Sequence, residues 1–326
     1  MQDFETLFHD IIDQKIGEEE TTHILLKLNQ APYPKEAFIG ATAALKKRMI
    51  HIKAPKGAID VCGTGGDKLN TLNVSTAVCF VVAGAGVPVA KHGNKAVSSL
   101  SGSADIFTEL GIKLSNDPHV LEQSLKDNNL CFLFAPFFHQ SLKNLANIRK
   151  NFAQQYHAPT IFNFLGPLLN PANTTCQLIG TSRKNTMKNM LDVASNAGDP
   201  THRTYIVHGF DGMDEITLCD NSYLLRCENG HYFEEEVINP EKYGLKKVTI
   251  DHIKGQDIKY NATKLINLLE GEKSAYRDIV ILNAAYAFKV ANKVNNIEEG
   301  LDLANATIDQ GLALKTLNSL YQTKNL

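Results

Sequence analysis

At 326 residues, with 43% hydrophobic and 21% charged side chains, the chain has a globular and not a disordered composition, and it is long enough to bury a large core. A formal charge of -2, from 33 Lys+Arg against 35 Asp+Glu, leaves no basic excess and weighs against a dedicated nucleic-acid binder. The acidic start Met1-Gln2-Asp3-Phe4-Glu5 lacks a secretory pattern, and the longest apolar stretch, Ala77 to Ala90, falls short of the roughly 20 residues of a membrane helix, so a cytoplasmic protein is expected.

Phe4, Leu7, Phe8, Ile11 and Ile12 fall on one stripe of an amphipathic helix. Glu18 to Asn29 predicts a second helix, and Pro34 opens a third with Phe38, Leu45 and Met49 on its apolar side. Lys46-Lys47-Arg48 at its end reads as a solvated terminus answering the helix dipole. From Ala58 short apolar runs alternate with helical patterns, the mark of βαβ units and a mostly parallel sheet. Ile59 to Cys62 predicts a strand and Val74 to Ala83 its helix; Val87 to Ala90 follows as a strand, then a helix from Ser103 to Leu110 closed by Gly111. Asp117-Pro118 reads as an N-cap with Pro at N1, opening a helix through Leu125, and Leu130 to Phe134 as a strand.

Helical patterns at His139 to Phe152 and Thr160 to Leu169 interrupt the alternation. It resumes with Gln177 to Thr181, a helix near Met187 to Asn196, and Tyr205 to Val207. Tyr223 to Cys227 and His231 to Glu235 flank Asn229-Gly230, a hairpin signal, and Ala284 to Val290 and Leu301 to Leu320 read as sheet-covering helices. The fold class expected is α/β, a mostly parallel central sheet flanked by helices. Residues 1–57 and 136–171 would form a small all-helical domain, and 58–135 with 172–326 the α/β domain. Six scattered cysteines without a CxxC pair read as buried thiols.

Three polar elements follow two consecutive strands. Gly63-Thr64-Gly65-Gly66-Asp67 is rich in glycines, which let backbone N–H groups approach phosphate oxygens. Asn73-Val74-Ser75-Thr76 opens a helix with hydroxyls beside free amides. Lys91-His92-Gly93-Asn94-Lys95-Ala96-Val97-Ser98-Ser99 gathers cations, an imidazole, an amide and hydroxyls, and suits a polyanion. Each alone reads equally as a tight turn, a capped helix or a polar loop; three in succession point to one phosphorylated ligand. Asp211-Gly212-Met213-Asp214-Glu215 also follows a strand, and its carboxylates fit Mg²⁺, which takes oxygen ligands and bridges to substrate phosphates.

In this order GTGGD, NVST, KHGNKAVSS with SGSAD, NFLGPLLNP and VHGFDGMDE resemble anthranilate phosphoribosyltransferase, over essentially the whole chain. The KHGN loop with SGSAD is shared with pyrimidine nucleoside phosphorylases, while GTGGD, NFLGPLLNP and DGMDE select the transferase. The resemblance implies transfer of the phosphoribosyl group of phosphoribosyl pyrophosphate (PRPP) to the amine of anthranilate, the second step of tryptophan synthesis from chorismate. It implies PRPP contacts at Gly63, Gly66, Asp67, Thr71, Asn73, Val74, Ser75, Thr76, Lys91, Asn94, Ser98, Ser99 and Ser103. Anthranilate would meet Gly63, His92, Asn94, His139 and Arg149, whose planar fork suits a carboxylate. Two Mg²⁺ ions would be held by Ser75, Asp214 and Glu215. No protein nucleophile is implied, only positioning and metal assistance. The chain departs from the family at Lys95, where Arg is usual, and at Gln140 and Leu142. A homodimer through the helical lobe is implied, with no nucleic-acid or membrane partner. The alternatives are a pyrimidine nucleoside phosphorylase, which usually carries a further C-terminal domain, and a non-catalytic nucleic-acid-binding homologue.

Overall fold

A computed structural model describes residues 3–29, 33–96, 100–195 and 201–322. The chain opens with α1 (Phe4–Ile12), α2 (Glu18–Leu28) and α3 (Lys35–Lys46). The βαβ section follows with β1 (Ile59–Gly63), α4 (Val74–Gly84), β2 (Val89–Gly93), α5 (Ser103–Glu109), α6 (Pro118–Asn128) and β3 (Leu130–Phe134). A helical excursion contains α7 (Ala135–Phe138), α8 (Ala146–Tyr156) and α9 (Phe162–Leu165). The chain re-enters the sheet with β4 (Cys176–Gly180), α10 (Met187–Ser195), β5 (Arg203–Gly209), β6 (Ser222–Glu228), β7 (His231–Tyr232) and β8 (Glu236–Ile238). It ends with α11 (Ile258–Leu269), α12 (Ala275–Val290), α13 (Ile297–Asp309) and α14 (Leu312–Gln322).

The expected α/β architecture is present. The sheet order is β3-β2-β1-β4-β5-β6-β7, parallel from β3 through β5 and antiparallel from β6 onward, with β8 on the other half of β6. Both faces are covered, and successive residues of one strand serve opposite cores. Val61, Leu178, Tyr205 and Val207 pack into the cluster of α4, α12, α13 and α14. Their neighbours Cys62, Ile179 and Ile206 pack into a second cluster with α1, α3, α9 and α10. This period of two is what strands buried on both faces require. Ala90, Cys131 and Leu133 form a smaller cluster with Leu121 and Leu125 of α6. Helix α4 is buried almost all round, between the sheet and the C-terminal helices, and so carries an apolar sequence without a polar stripe.

Local chemistry sets the boundaries. Asp3 caps α1 by accepting from the amides of Glu5 and Thr6, and Asp117 caps α6 with Pro118 at its start. Gly111, at φ +76, ends the α5 region. The Asn229-Gly230 turn has both residues at positive φ, 53 and 80, as a two-residue hairpin demands.

Several boundaries differ from expectation. The strand expected over His231 to Glu235 is only β7, and β8 takes up pairing again two turns of pleat later. The helix expected from His139 divides into a 3₁₀ segment, Gln140–Leu145, and α8. Gly311, at φ +71, separates α13 from α14. Lys47 and Arg48 are not merely solvated: they pair with Glu5 of α1 and with Asp13 just after it, Arg48 donating to both Asp13 oxygens at 2.8 Å. All six cysteines are free thiols and five are buried. Among the described residues no helix is long and apolar enough to cross a membrane.

Candidate active site at the carboxyl ends of the central strands

Strand β1 lies at the point where the sheet's connections turn from one side to the other, with β2 on one flank and β4 on the other. Crevices at such points are where open parallel sheets take ligands. The β1–β4 ladder runs through five residue pairs, whereas β1 and β2 pair in register only at Ile59 and Val89. Beyond that pair the buried Asp60 carboxylate accepts the His92 N–H at 3.1 Å. Asp60 is thus a strut across the opening gap; burial raises its pKa, partly offset by Lys91.

After β1, Gly65 and Gly66 adopt φ of +66 and +80. The turn after β5 then reaches over β4 to this loop. Asp214 Oδ2 accepts the Gly65 N–H at 2.6 Å, and Glu215 Oε1 accepts the Ser75 N–H at 2.9 Å, in the first turn of α4. A carboxylate therefore rests on a helix-terminal amide suited to a phosphate oxygen. Two glycines make room for this crossing: a Cβ on Gly63 would lie 2.2 Å from Asp214 Oδ2, and one on Gly180 would lie 1.5 Å from the Asp214 carbonyl oxygen. The acidic turn is braced from beneath. Asp211 accepts from Met213 N–H and from the Thr217 hydroxyl, and the buried Asn283 amide accepts Ile216 N–H at 3.0 Å while donating to Ile216 O at 2.8 Å. Met213 and Ile216, both fully buried, anchor the turn on either side of the two carboxylates.

Asp214 and Glu215 are half-buried. Burial, and then the neighbouring Asp67, push the Asp214 carboxyl up to about 7; burial and then Asp214 push Glu215 well above the usual range. Asp67 is raised chiefly by burial. Crowded carboxyls of this kind are relieved by a divalent cation, and the hard oxygen donors of Asp214, Glu215 and Ser75 fit Mg²⁺. Among the described residues no three His, Cys, Asp or Glu side chains form a metal cage by themselves.

Lys91, His92 and Gly93, read from sequence as loop, belong to β2. The Lys91 side chain is consequently buried at 1% exposure and donates to Val61 O at 2.7 Å and toward Ser75 Oγ at 3.4 Å. Asn94 is exposed at the strand's end, and Ser103 Oγ packs against Gly93, where a Cβ would come within 2.1 Å of it. Val74 and Thr76 are buried. Thr71 sits in an isolated bridge with Lys254. Asn73 spends its side chain on Ser101 and Asn261 and so acts as a tether. Ser98 and Ser99 lie outside the described residues.

On the other side of β2 the two expected imidazoles meet. His92 Nδ1 faces Gly166 O at 3.2 Å and its Nε2 faces His139 Nε2 at 3.1 Å. A carbonyl only accepts, so His92 carries its proton on Nδ1 and turns its Nε2 to His139; the His139 ring also faces the Leu169 backbone, its buried Nδ1 lying outside good hydrogen-bond geometry. Burial pushes His92 down to about 3 and His139 down to about 4. Arg149, on α8, has an unpartnered buried Nε, and burial lowers its pKa. Leu142 packs with the helical cluster.

Sequence reading did not single out Asp60, Asn170, Gly180 or Asn283. A charge inside the apolar run Ile59–Cys62 was the available signal for Asp60. Asn170 and Gly166 belong to a motif whose work only the fold reveals: Asn170 donates to Ala90 O at 2.8 Å, so the segment wraps β2. A cleft of about 650 Å³ opens at the opposite, amino-terminal end of the sheet, between α3, α10 and Thr174–Thr175, and has no carboxylate in its lining. The site is defined by converging strand ends and not by this cavity.

The depressed imidazoles make a pH prediction. Both rings bind protons more weakly folded than unfolded, so the unfolded chain holds more protons between about pH 6.5 and 4, and stability falls as pH falls through that window. The melting temperature should drop over that range, with a flatter slope in a His92→Asn, His139→Asn double variant. An unchanged slope would refute neutral burial of the pair.

Residues 55–314 match the model of a family described as glycosyl transferase family, a/b domain. Anthranilate phosphoribosyltransferase 2 of Ralstonia nicotianae is 40% identical over 321 residues, 98% of this chain and 91% of that protein. The anthranilate phosphoribosyltransferase of Nitrobacter hamburgensis is 40% identical over 302 residues, covering 93% and 88%. Among solved structures, the anthranilate phosphoribosyltransferase of Thermus thermophilus superposes with a TM-score of 0.89 at 28% identity, over 99% of this chain and 95% of that one. The Saccharomyces cerevisiae enzyme in complex with PRPP and Mg superposes with a TM-score of 0.87 at 26% identity, over 98% and 92%.

Proposed function

The chain belongs to the anthranilate phosphoribosyltransferase family, and from that premise we propose that it joins the amine of anthranilate to the anomeric carbon of PRPP, releasing pyrophosphate, as the second step of tryptophan synthesis from chorismate. One observation carries the reading: Asp214 and Glu215 reach across β4 to the amides of Gly65 and Ser75, so anion seats and cation ligands share one crevice.

On this reading PRPP lies along Gly63, Gly66, Asp67, Thr71, the amides of Asn73, Val74, Ser75 and Thr76, and the Asn94, Ser98, Ser99 and Ser103 side. Lys91 acts from beneath, its buried charge beside Ser75. Two Mg²⁺ ions would be held by Ser75, Asp214 and Glu215, and when bound they neutralise charge developing on the departing pyrophosphate. No side chain need attack the sugar. The chain's part is to hold donor and acceptor in line and to keep water away. Anthranilate would lie against Gly63, Asn94, His92 and His139, with its carboxylate on Arg149. The unsatisfied, buried Arg149 Nε supports that placement. We read residues 1–57 and 136–171 as a helical domain that closes on the α/β domain. We also read a homodimer through that domain, where Ile39 and Ile50 stand exposed.

The test is the purified protein with PRPP, anthranilate and Mg²⁺, following loss of anthranilate fluorescence. No PRPP-dependent loss would overturn the proposal. In the same assay Arg149→Ala should raise KM for anthranilate roughly 10- to 100-fold, the range for a lost charge-assisted hydrogen bond, with KM for PRPP little changed. An unchanged anthranilate KM would remove the carboxylate role.

A further inference from the structure

The amino end of α4 is held in place by parts of the chain far from the phosphate loops. Asn70–Leu72 pairs with Ile253–Gly255: Leu72 N–H donates to Ile253 O at 2.9 Å, Gly255 N–H donates to Asn70 O at 2.7 Å, and Thr71 bridges Lys254 between them. From the first turn of α11, the side chain of Asn261, at 2% exposure, enters the same place. Its Nδ2 donates to Ser101 Oγ at 2.7 Å and to Asn73 Oδ1 at 3.3 Å. Ser101 Oγ donates in turn to Asn73 Oδ1 at 2.8 Å, and Asn73 Nδ2 donates to Ser101 O at 3.2 Å. From α12, the Tyr276 hydroxyl donates to Asn73 O at 3.0 Å.

The orientation of the Asn261 amide is set by its surroundings. Gln256 N–H donates to Asn261 Oδ1 at 2.8 Å, which leaves both Nδ2 hydrogens for Ser101 and Asn73. Gly255 makes the space, since a Cβ there would lie 2.9 Å from Asn261 Nδ2 and 2.8 Å from Thr71 O. Asn73 precedes the helix whose Ser75 amide contacts Glu215, and Ser101 precedes Gly102, whose amide is taken by Asp105 at the start of α5. One buried amide thus joins the two loops on either side of the phosphate seat.

We propose that Asn261 is a positioning residue for PRPP: through Asn73 and Ser101 it locks the amino end of α4 to the segment that leads into α5. The inference rests on the reading of this crevice as the PRPP site. It acts at a distance from the reacting atoms, so its loss should weaken PRPP binding and spare the acceptor, whose His92, His139 and Arg149 lie on other segments.

The experiment is steady-state kinetics on the full chain in saturating Mg²⁺, varying PRPP and anthranilate separately, with thermal melts of each protein. Asn261→Asp turns donors into acceptors that face Asn73 Oδ1, and Ser101→Ala removes the hydroxyl link. Each should raise KM for PRPP about tenfold, as expected for an unsatisfied buried polar group, while KM for anthranilate stays within about twofold. Gly255→Ala should do the same by displacing the amide. Equal rises in both KM values, or a lowered melting temperature with an unmoved PRPP KM, would overturn the positioning role. If Asn261→Asp fails to fold, Ser101→Ala and Gly255→Ala decide by the same split. A wild-type protein inactive with PRPP and anthranilate would overturn the parent reading as well, whereas an active one with unmoved variants overturns this inference alone.

Discussion

Glu215→Ala is expected to lose turnover in saturating Mg²⁺ by at least about a hundredfold, the scale of one electrostatic contact made at developing charge. The carboxylate rests on the Ser75 amide and beside Asp214, at the crossing where anion seat and acidic turn meet. The fold should survive. Burial and Asp214 raise the Glu215 pKa, so the folded protein holds that proton more tightly than the unfolded chain does. The group's contribution to stability is therefore present in acid and lost as pH rises above the usual carboxylate range. Without metal, the variant should melt no lower than wild type at pH 8. Turnover across a Mg²⁺ titration checks the first expectation and melts at two pH values check the second. Near-normal turnover would remove Glu215 from the metal site.

Gly180→Ala should be nearly as damaging, although it adds a single methyl. Its Cβ would lie 1.5 Å from the Asp214 carbonyl oxygen, well inside contact distance, and that obstacle is backbone. Gly180 is held by pairing to Gly63 on one side and Val207 on the other, so the acidic turn must give way. Displacing Asp214 and Glu215 together should lower kcat/KM for PRPP by about a hundredfold and cost about 1–3 kcal/mol of stability, as overpacking does. Gly65→Ala is the useful contrast. Nothing lies within 4 Å of a Cβ there, and the penalty comes only from φ of +66, about 1 kcal/mol. If Gly180→Ala keeps wild-type PRPP kinetics, the crossing of the acidic turn over β4 is not what orders the site.

The βαβ grammar was readable because β1 through β5 each contain a short run of apolar residues, and because Asp117-Pro118 and Asn229-Gly230 carry their own local geometry. The division of His139–Phe152 into a 3₁₀ turn and α8 was not, since an apolar period does not report how tightly a turn is wound. For the site, the loops after β1 and β5 were legible as glycines and carboxylates at strand ends. Lys91 was legible as a cation but not as a buried one: its position depends on where β2 stops, and strand ends are set by pairing with β3. Asn261 and Asn283 were invisible for a plainer reason. Each lies on a helix far along the chain, and each serves a loop that only the tertiary structure brings within hydrogen-bond reach.

The order of the strands also bears on how the chain comes together during synthesis. β1, β2 and β3 leave the ribosome in succession and can associate early, but the partner for the other side of β1 is β4, which arrives only after the whole helical excursion has been made. Until then β1 presents an open flank whose amides and carbonyls any extended peptide could occupy. Closing the pair from Ile59 to Cys176 is a long-range event, so completion of the sheet, and with it the crevice, belongs to the slow end of folding.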